Sequence, residues 1–207
     1  MTTDPFAWLR IEYETTGLDP DDLPGDPIDA FRGWLDAAAE AGVAEPNVMH
    51  LATVDADGAP SVRAVLIKDL DAGVVFFSNY ASRKGRALAA DPRAAGNVHW
   101  QPLHRQVRFE GVVTRVGPAE SDSYFASRPI EARRGAVASP QSEVIPDRAW
   151  LETRWAAADP TTRPEGWGGY RLVPSVVEFW QGRPGRLHDR IRFRREADRW
   201  VRERLAP

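Results

Sequence analysis

Two alternating apolar–polar stretches, Met49–Val54 and Ser61–Lys68, flank Asp55-Ala-Asp-Gly58. That pattern folds as a β-hairpin with one face turned to a core. Further short strands are expected at Val74–Ser78, Ala94–Trp100, Arg105–Val116, Gly169–Leu172, Val176–Gln181, Arg190–Arg194 and Trp200–Arg204. A few helices break the series. Asp26 caps one and Pro27 opens it, its apolar stripe is Ile28, Phe31, Trp34, Leu35 and Ala38, and Gly42 ends it. Ser82 caps a second that runs through Ala90, and two more are expected at Pro118–Ser127 and Asp147–Ala157. Many short strands with peripheral helices suit a mainly β (α+β) fold, an antiparallel β-barrel with helices packed outside.

Residues 1–26 are polar and rich in Pro and Asp, and read as an arm with one helical turn around Phe6–Tyr13. Residues 27–207 then form a single domain, with Asp159–Gly166 as a Pro/Thr-rich loop. The formal net charge is -3, so no basic field recruits nucleic acid or anionic membrane. No apolar run approaches the ~20 residues of a membrane helix. The N-terminus lacks the layout of a signal peptide, which makes cytoplasm the expectation. Cysteine is absent, which removes disulfides, thiolate metal sites and cysteine nucleophiles. His50, His99, His104 and His188 show no paired metal spacing, so no metal site is expected. Redox chemistry here needs an organic cofactor held without cysteine.

Several clusters carry candidate chemistry. Arg186 and His188 alternate along an expected strand, which puts a guanidinium and an imidazole on one face beside an aromatic residue. Such a pair binds a flat anionic ligand and handles a proton. Ser82-Arg83-Lys84 opens a helix, where orphan N–H groups and two cations make an anion site, or simply a capped helix with solvated charges. Arg63 and Lys68 end an apolar strand, and alternation sends them to opposite faces unless a bulge, a twist or a subunit boundary brings both to a ligand; otherwise this is a strand with polar ends. Gln106, in the polar run His104–Arg108, has the donor and acceptor needed to read a heterocycle edge, or lies on an exposed strand. Tyr124 and Arg128 lie four apart on a helix, hence on one side, and can clamp a phosphate or stack on each other.

Taken in order, these pieces resemble the pyridoxamine 5'-phosphate oxidase family. The resemblance runs from about Leu9 to the C-terminus. It is carried by Arg63–Lys68, Asn79–Lys84, Arg105–Val107, Tyr124–Pro129, Gln141-Ser142, Trp167–Tyr170, Glu178–Gly182, Arg186–Arg190 and Arg204–Pro207. It implies an FMN-binding split β-barrel and a homodimer with FMN at the subunit interface. The implied FMN contacts are Arg63, Ala64, Val65, Leu66, Ile67, Lys68, Phe77, Ser78, Arg83, Lys84, Gln106, Gln141, Ser142, Trp180 and Arg190. Lys68, Tyr124 and Arg128 match the group that holds the substrate phosphate, and a fourth member, a serine, falls on Ala132. Arg186 and His188 match the catalytic pair that holds the pyridine ring. Arg10 and Tyr13 match a lid in the arm.

The implied reaction takes a hydride from C4' of pyridoxine or pyridoxamine 5'-phosphate to flavin N5. Oxygen then accepts the electrons, and pyridoxal 5'-phosphate and peroxide result. The chain departs from the family between Arg128 and Val137, where the usual Arg-Pro-Arg-x-Ser-Gln-Ile-Gly-Ala-Trp reads Arg128-Pro-Ile-Glu-Ala-Arg-Arg-Gly-Ala-Val137. Arg133 or Arg134 either replaces the missing hydroxyl, indicates another acidic substrate, or is solvated. Two other readings stand beside the B6 oxidase: a related flavin oxidase of the phenazine-pathway type, and a protein that binds FMN or pyridoxal phosphate without turnover.

Overall fold

A computed structural model describes residues 12–207. The strands are β1 (Val48–Val54), β2 (Pro60–Leu70), β3 (Val74–Asn79), β4 (Arg93–Trp100), β5 (Arg105–Arg115), β6 (Trp167–Gln181), β7 (Asp189–Glu196) and β8 (Arg199–Leu205). The helices are α1 (Pro27–Glu40), α2 (Arg83–Ala90), α3 (Pro118–Ser127), α4 (Ile130–Ala138) and α5 (Arg148–Ala157). The strands hydrogen-bond in the order β3-β2-β1-β4-β5-β6-β7-β8, and β3 also pairs with β6. The six strands β1–β6 thereby close an antiparallel barrel, which β7 and β8 extend. No helix among the described residues is long and apolar enough to cross a membrane.

The chain groups into two compact units. The first holds the described residues up to Pro46, with Asn97–Phe109 and Val176–Pro207. In α1 the Asp26 carboxylate accepts from the Ile28 N–H at 2.7 Å, and Gly42 beyond the end takes φ +74°. The i, i+3 stripe turns Ile28, Phe31 and Trp34 inward. Phe31 meets Phe109 edge-on at 4.9 Å, and Trp34 meets Phe179 edge-on at 5.1 Å. The buried Trp100 indole gives its N–H to the Pro46 carbonyl at 2.8 Å. Along β8 the arm is tied down: Arg204 donates to the Leu18 carbonyl and Arg202 to that of Leu23, while the Leu18 N–H donates to Asp189 at 3.0 Å. Of the expected turn at Phe6–Tyr13, residues 6–11 lie outside the described residues, as does Arg10, and residues 12–13 carry no helix.

The second unit comprises Asn47–Gly96 and Glu110–Ser175. The expected hairpin is present, with β1 and β2 paired from Val48↔Leu66 to Val54↔Pro60. The pairing of β2 with β3 shifts register between Ile67 and Asp69, so a bulge does fall at Lys68. Met49, Leu51, Val74, Phe76 and Leu172 are fully buried. At the turn into β3, a Cβ on Gly73 would lie 2.2 Å from the Leu172 carbonyl oxygen, which only glycine tolerates. Gly73→Ala is expected to cost about 1–3 kcal/mol through forced backbone displacement. Urea denaturation, with an unchanged m-value, is the check.

Three expectations are corrected. Arg186 and His188 do not share a strand: Pro184–Arg186 forms a 3₁₀ turn, and Gly185 and Arg186 both take positive φ (+63° and +61°). The Pro-Gly pair that precedes Arg186 imposes this turn. The two short strands at 169–172 and 176–181 are one strand, β6, which runs through Pro174. No helix was expected between Ser127 and Asp147, yet Ile130–Ala138 is helix α4, whose Ala, Glu and Arg content favours that conformation.

Candidate functional site

In the second unit, β2 and α2 bring three cations together. Ser82 caps α2, its hydroxyl accepting from the Gly85 N–H at 3.2 Å. This holds Lys84 in the first turn with its side chain buried. The Lys84 ammonium donates to Ser78 Oγ at 3.0 Å, Ser82 Oγ at 3.3 Å and Gln141 Oε1 at 3.3 Å. All three acceptors are neutral. Burial, and then the nearby Arg63 charge, lowers the Lys84 pKa to about 8. Arg63 donates to the Leu51 carbonyl and Thr53 Oγ1, and its own pKa is lowered by burial and by Arg83. Arg83 pairs with Asp55 at 2.7 Å in an exposed contact of the kind that contributes little. Arg63, Arg83, Lys84, Gln141 and Ser142 line a cavity of about 390 Å³ whose wall carries no carboxylate. Ser142 holds φ +76°, a conformation unusual outside glycine.

A larger cavity of about 490 Å³ shares Ala64, Lys84 and Gln141 with the first. Strand alternation places Ala64, Leu66 and Lys68 along it, and β3 supplies Phe77 and Ser78. One wall is aromatic: Phe77 stacks on Tyr124 at 3.8 Å and on Trp167 at 5.6 Å. Arg128 lies over the Trp167 ring at 4.8 Å, and its buried Nη1 has no hydrogen-bond partner among the described residues. Burial raises the Tyr124 pKa and lowers that of Arg128. Helix α4 contributes Ala132, Gly135, Ala136 and Ser139, a face of small side chains at i, i+3, i+4 and i+7. Arg133 and Arg134 do not line it. Arg133 reaches the Pro160 carbonyl at 3.4 Å, and Arg134 donates to the carbonyls of Ala156 and Ala158.

The expected residues therefore divide. Lys68, Tyr124, Arg128 and Ala132 share the larger cavity with Ala64, Val65, Leu66, Phe77, Ser78, Lys84 and Gln141. Arg63, Arg83 and Ser142 line the smaller one. Ile67 is turned into the core at 4% exposure.

The first unit carries a second group. Tyr13 lies 4.3 Å from the His104 ring and 5.7 Å from that of His188, and Trp180 lies 4.7 Å from His188. His188 Nδ1 accepts from the Arg183 backbone N–H at 3.1 Å, so the neutral ring carries its proton on Nε2. Burial and the nearby Arg186 charge lower the His188 pKa. A Cβ on Gly182 would lie 2.7 Å from the Tyr13 ring, so glycine is needed for the arm to approach. Arg186 is exposed at its turn, Gln106 is half-buried on β5, and Arg190 is held by Glu178.

Trp167, Ser139 and Glu178 were not among the expected site residues. Trp167 is paired with Asn79 across β6 and β3, a register that no local pattern reveals. Ser139 becomes legible only once α4 is recognised as a helix.

Residues 35–160 match the family model "Pyridoxamine 5'-phosphate oxidase", and residues 167–207 match "Pyridoxine 5'-phosphate oxidase C-terminal dimerisation region". A pyridoxine/pyridoxamine 5'-phosphate oxidase of Ralstonia pickettii is 53% identical, over 98% of this chain and 99% of that protein. Among solved structures, PhzG from Burkholderia lata in complex with tetrahydrophenazine-1-carboxylic acid has a TM-score of 0.88 at 32% identity. That likeness covers 94% of this chain and 100% of that one. A pyridoxamine 5'-phosphate oxidase-related, FMN binding protein from Nostoc punctiforme has a TM-score of 0.72 at 19% identity, over 86% of this chain and 97% of that one, and shares the fold.

Proposed function

This chain belongs to the pyridoxamine 5'-phosphate oxidase family, with FMN as cofactor, and we propose that it oxidises pyridoxine or pyridoxamine 5'-phosphate to pyridoxal 5'-phosphate. The observation that carries this reading is the meeting of Lys68, Tyr124 and Arg128 in one aromatic-walled cavity. A phosphate ester needs cations without carboxylate competitors, and the orphaned Arg128 Nη1 is a donor awaiting such an acceptor. The residues present also fit FMN. Lys84 is a buried ammonium surrounded by neutral acceptors, and a flavin phosphate would supply the missing negative charge.

When bound, FMN supplies the hydride acceptor for C4' of the substrate, and molecular oxygen reoxidises it with release of hydrogen peroxide. Arg63, Arg83, Lys84 and the Ser142 hydroxyl would hold its phosphate, and Gln106 would read the polar edge of its ring. Arg186 and the Nε2–H of His188 would bind and orient the pyridine ring of the substrate. Arg10 and Tyr13 would serve as the lid that the family resemblance implies. The match of residues 167–207 to the dimerisation region supports a homodimer. Val62 and Leu66, 67% and 39% exposed on β2, offer an apolar strand face to a second copy, with FMN at the subunit interface. We place the reaction in the cytoplasm, in keeping with a chain that uses no disulfide.

A second reading has one observation in its favour. Ala132 leaves the phosphate group a hydroxyl short, and the small face of α4 leaves room for a bulkier flat acid such as the ligand of PhzG. The 53% identity to a B6 phosphate oxidase, against 32% to PhzG, favours the first. Anaerobic mixing of the FMN-loaded protein with pyridoxine 5'-phosphate, followed by flavin absorbance, decides between them. Bleaching that recovers in air is the expected result. A flavin that stays oxidised with this substrate and bleaches with tetrahydrophenazine-1-carboxylic acid would establish the second reading. One that bleaches with neither would leave a binding protein. Ala132→Ser is expected to tighten pyridoxine 5'-phosphate about tenfold, by returning one charge-assisted hydrogen bond. Equilibrium titration of the oxidised protein with substrate under nitrogen measures this.

A further inference from the structure

Glu178 is only 3% exposed, yet it does not face the hydrophobic core. Its neighbours on β6, Val177 and Phe179, fill the core at 0% exposure, and strand alternation turns Glu178 to the opposite face with Trp180. On that face one carboxylate serves two guanidiniums. Oε1 accepts from Arg190 Nε at 2.9 Å, and Oε2 accepts from Arg190 Nη2 at 3.1 Å and from Arg108 Nη2 at 2.9 Å. Arg190 Nη1 donates to the Ala206 carbonyl at 2.9 Å. Of the five N–H donors on Arg190, three are thus committed to described residues. Arg190 is the direct cross-strand partner of Trp180.

A buried ion pair contributes little net stability relative to apolar packing, so sheet cohesion alone gives Glu178 weak justification. Its geometry does two other things. It prevents Arg190 from swinging, and its negative charge offsets one of the two guanidinium charges that it holds. We infer that Glu178 is a positioning residue for the cofactor: it aims Arg190 at the flavin and sets how much positive charge the flavin meets. This rests on the reading that Trp180 and Arg190 contact FMN. Reduction adds negative charge to a flavin, so protein charge near its ring tunes its potential.

The test is the reduction potential and dissociation constant of bound FMN in four proteins: wild type, Glu178→Gln, Arg108→Gln and Arg190→Gln. Glu178→Gln keeps an acceptor for Arg190 but removes a negative charge, and is expected to raise the potential. Arg108→Gln removes a positive charge and is expected to lower it. A role confined to holding the sheet predicts a lower melting temperature with the potential unmoved. Potentials unchanged in both variants, or shifted in the same direction, overturn the inference. If Glu178→Gln does not fold, the sign in Arg108→Gln decides alone. If Arg190→Gln changes neither affinity nor potential, the placement of FMN on this face fails, and the inference falls with it. An effect in Arg190→Gln with the other two silent overturns the inference and leaves the functional reading standing.

Discussion

Lys84→Met is expected to weaken FMN binding about ten- to a hundredfold while leaving the apoprotein as stable as the wild type at pH 7, or more so. The two effects have opposite signs because, among the described residues, Lys84 is a buried ammonium that donates to three neutral acceptors. In the apoprotein its charge is a desolvation cost that methionine removes. Toward a phosphate, the same charge is worth about 1.5–3 kcal/mol of charge-assisted hydrogen bonding, which sets the size of the lost affinity. Fluorescence titration of FMN gives the first quantity, and thermal unfolding of apoprotein the second. A parallel loss of both would mean that Lys84 is structural.

The lowered pKa adds a pH signature. Lys84 titrates near 8 in the folded apoprotein against 10.5 when unfolded, so between those values the unfolded chain binds more protons. Apoprotein stability therefore rises with pH across that window, through this group. FMN affinity does the reverse, falling above pH 8 as the free protein loses the charge that the phosphate needs. Lys84→Met abolishes both slopes.

Much of this was legible in the sequence because it depends on local signals. The β1–β2 hairpin follows from alternation around Asp55-Ala-Asp-Gly58, and α1 from a capped stripe of apolar residues. The bulge at Lys68 was an open alternative that only the pairing partner decides: β3 shifts register against β2 there. The Pro184–Arg186 turn was misread because Arg186 and His188 suit alternation, and two backbone angles with positive φ outweigh it. Of the site residues named by resemblance, most from Arg63 to Ser142 line two cavities, Tyr13, Trp180 and His188 join a ring cluster, and Ile67 lies in the core. What the resemblance left open, whether Arg133 and Arg134 enter the pocket, depended on α4. As a helix it turns its small face to the cavity and sends both arginines to the carbonyls of 156–160. Trp167 and Glu178 lay beyond sequence reasoning for a plain reason. Arg128 and Arg108 are distant in the chain from Trp167 and Glu178, and Arg190 meets Glu178 only through the β6–β7 register.

Arg186→Ala is expected to lower kcat/KM for pyridoxine 5'-phosphate on the order of 10²–10³-fold, the usual consequence of removing one fixed donor from a reacting group, with FMN affinity unchanged. The separation is physical. Arg186 is exposed on its own turn in the first unit and is not among the residues that line the cavity of Arg63, Arg83 and Lys84. The turn itself is set by Pro184 and Gly185, so alanine does not release it, although the positive φ at 186 adds a small strain. The same variant reports on His188. Arg186 is one of the two causes that hold the His188 pKa down, burial being the larger, so its removal lets that pKa rise. Below its folded-state pKa, the imidazole takes a proton on Nδ1 and loses the hydrogen bond from the Arg183 N–H. The acid limb of the kcat/KM profile should therefore move to higher pH in Arg186→Ala, relative to wild type, in addition to the drop in plateau. A profile that keeps its shape at a lower plateau would show that His188 does not titrate in the rate. An unchanged plateau would remove Arg186 from the substrate site altogether.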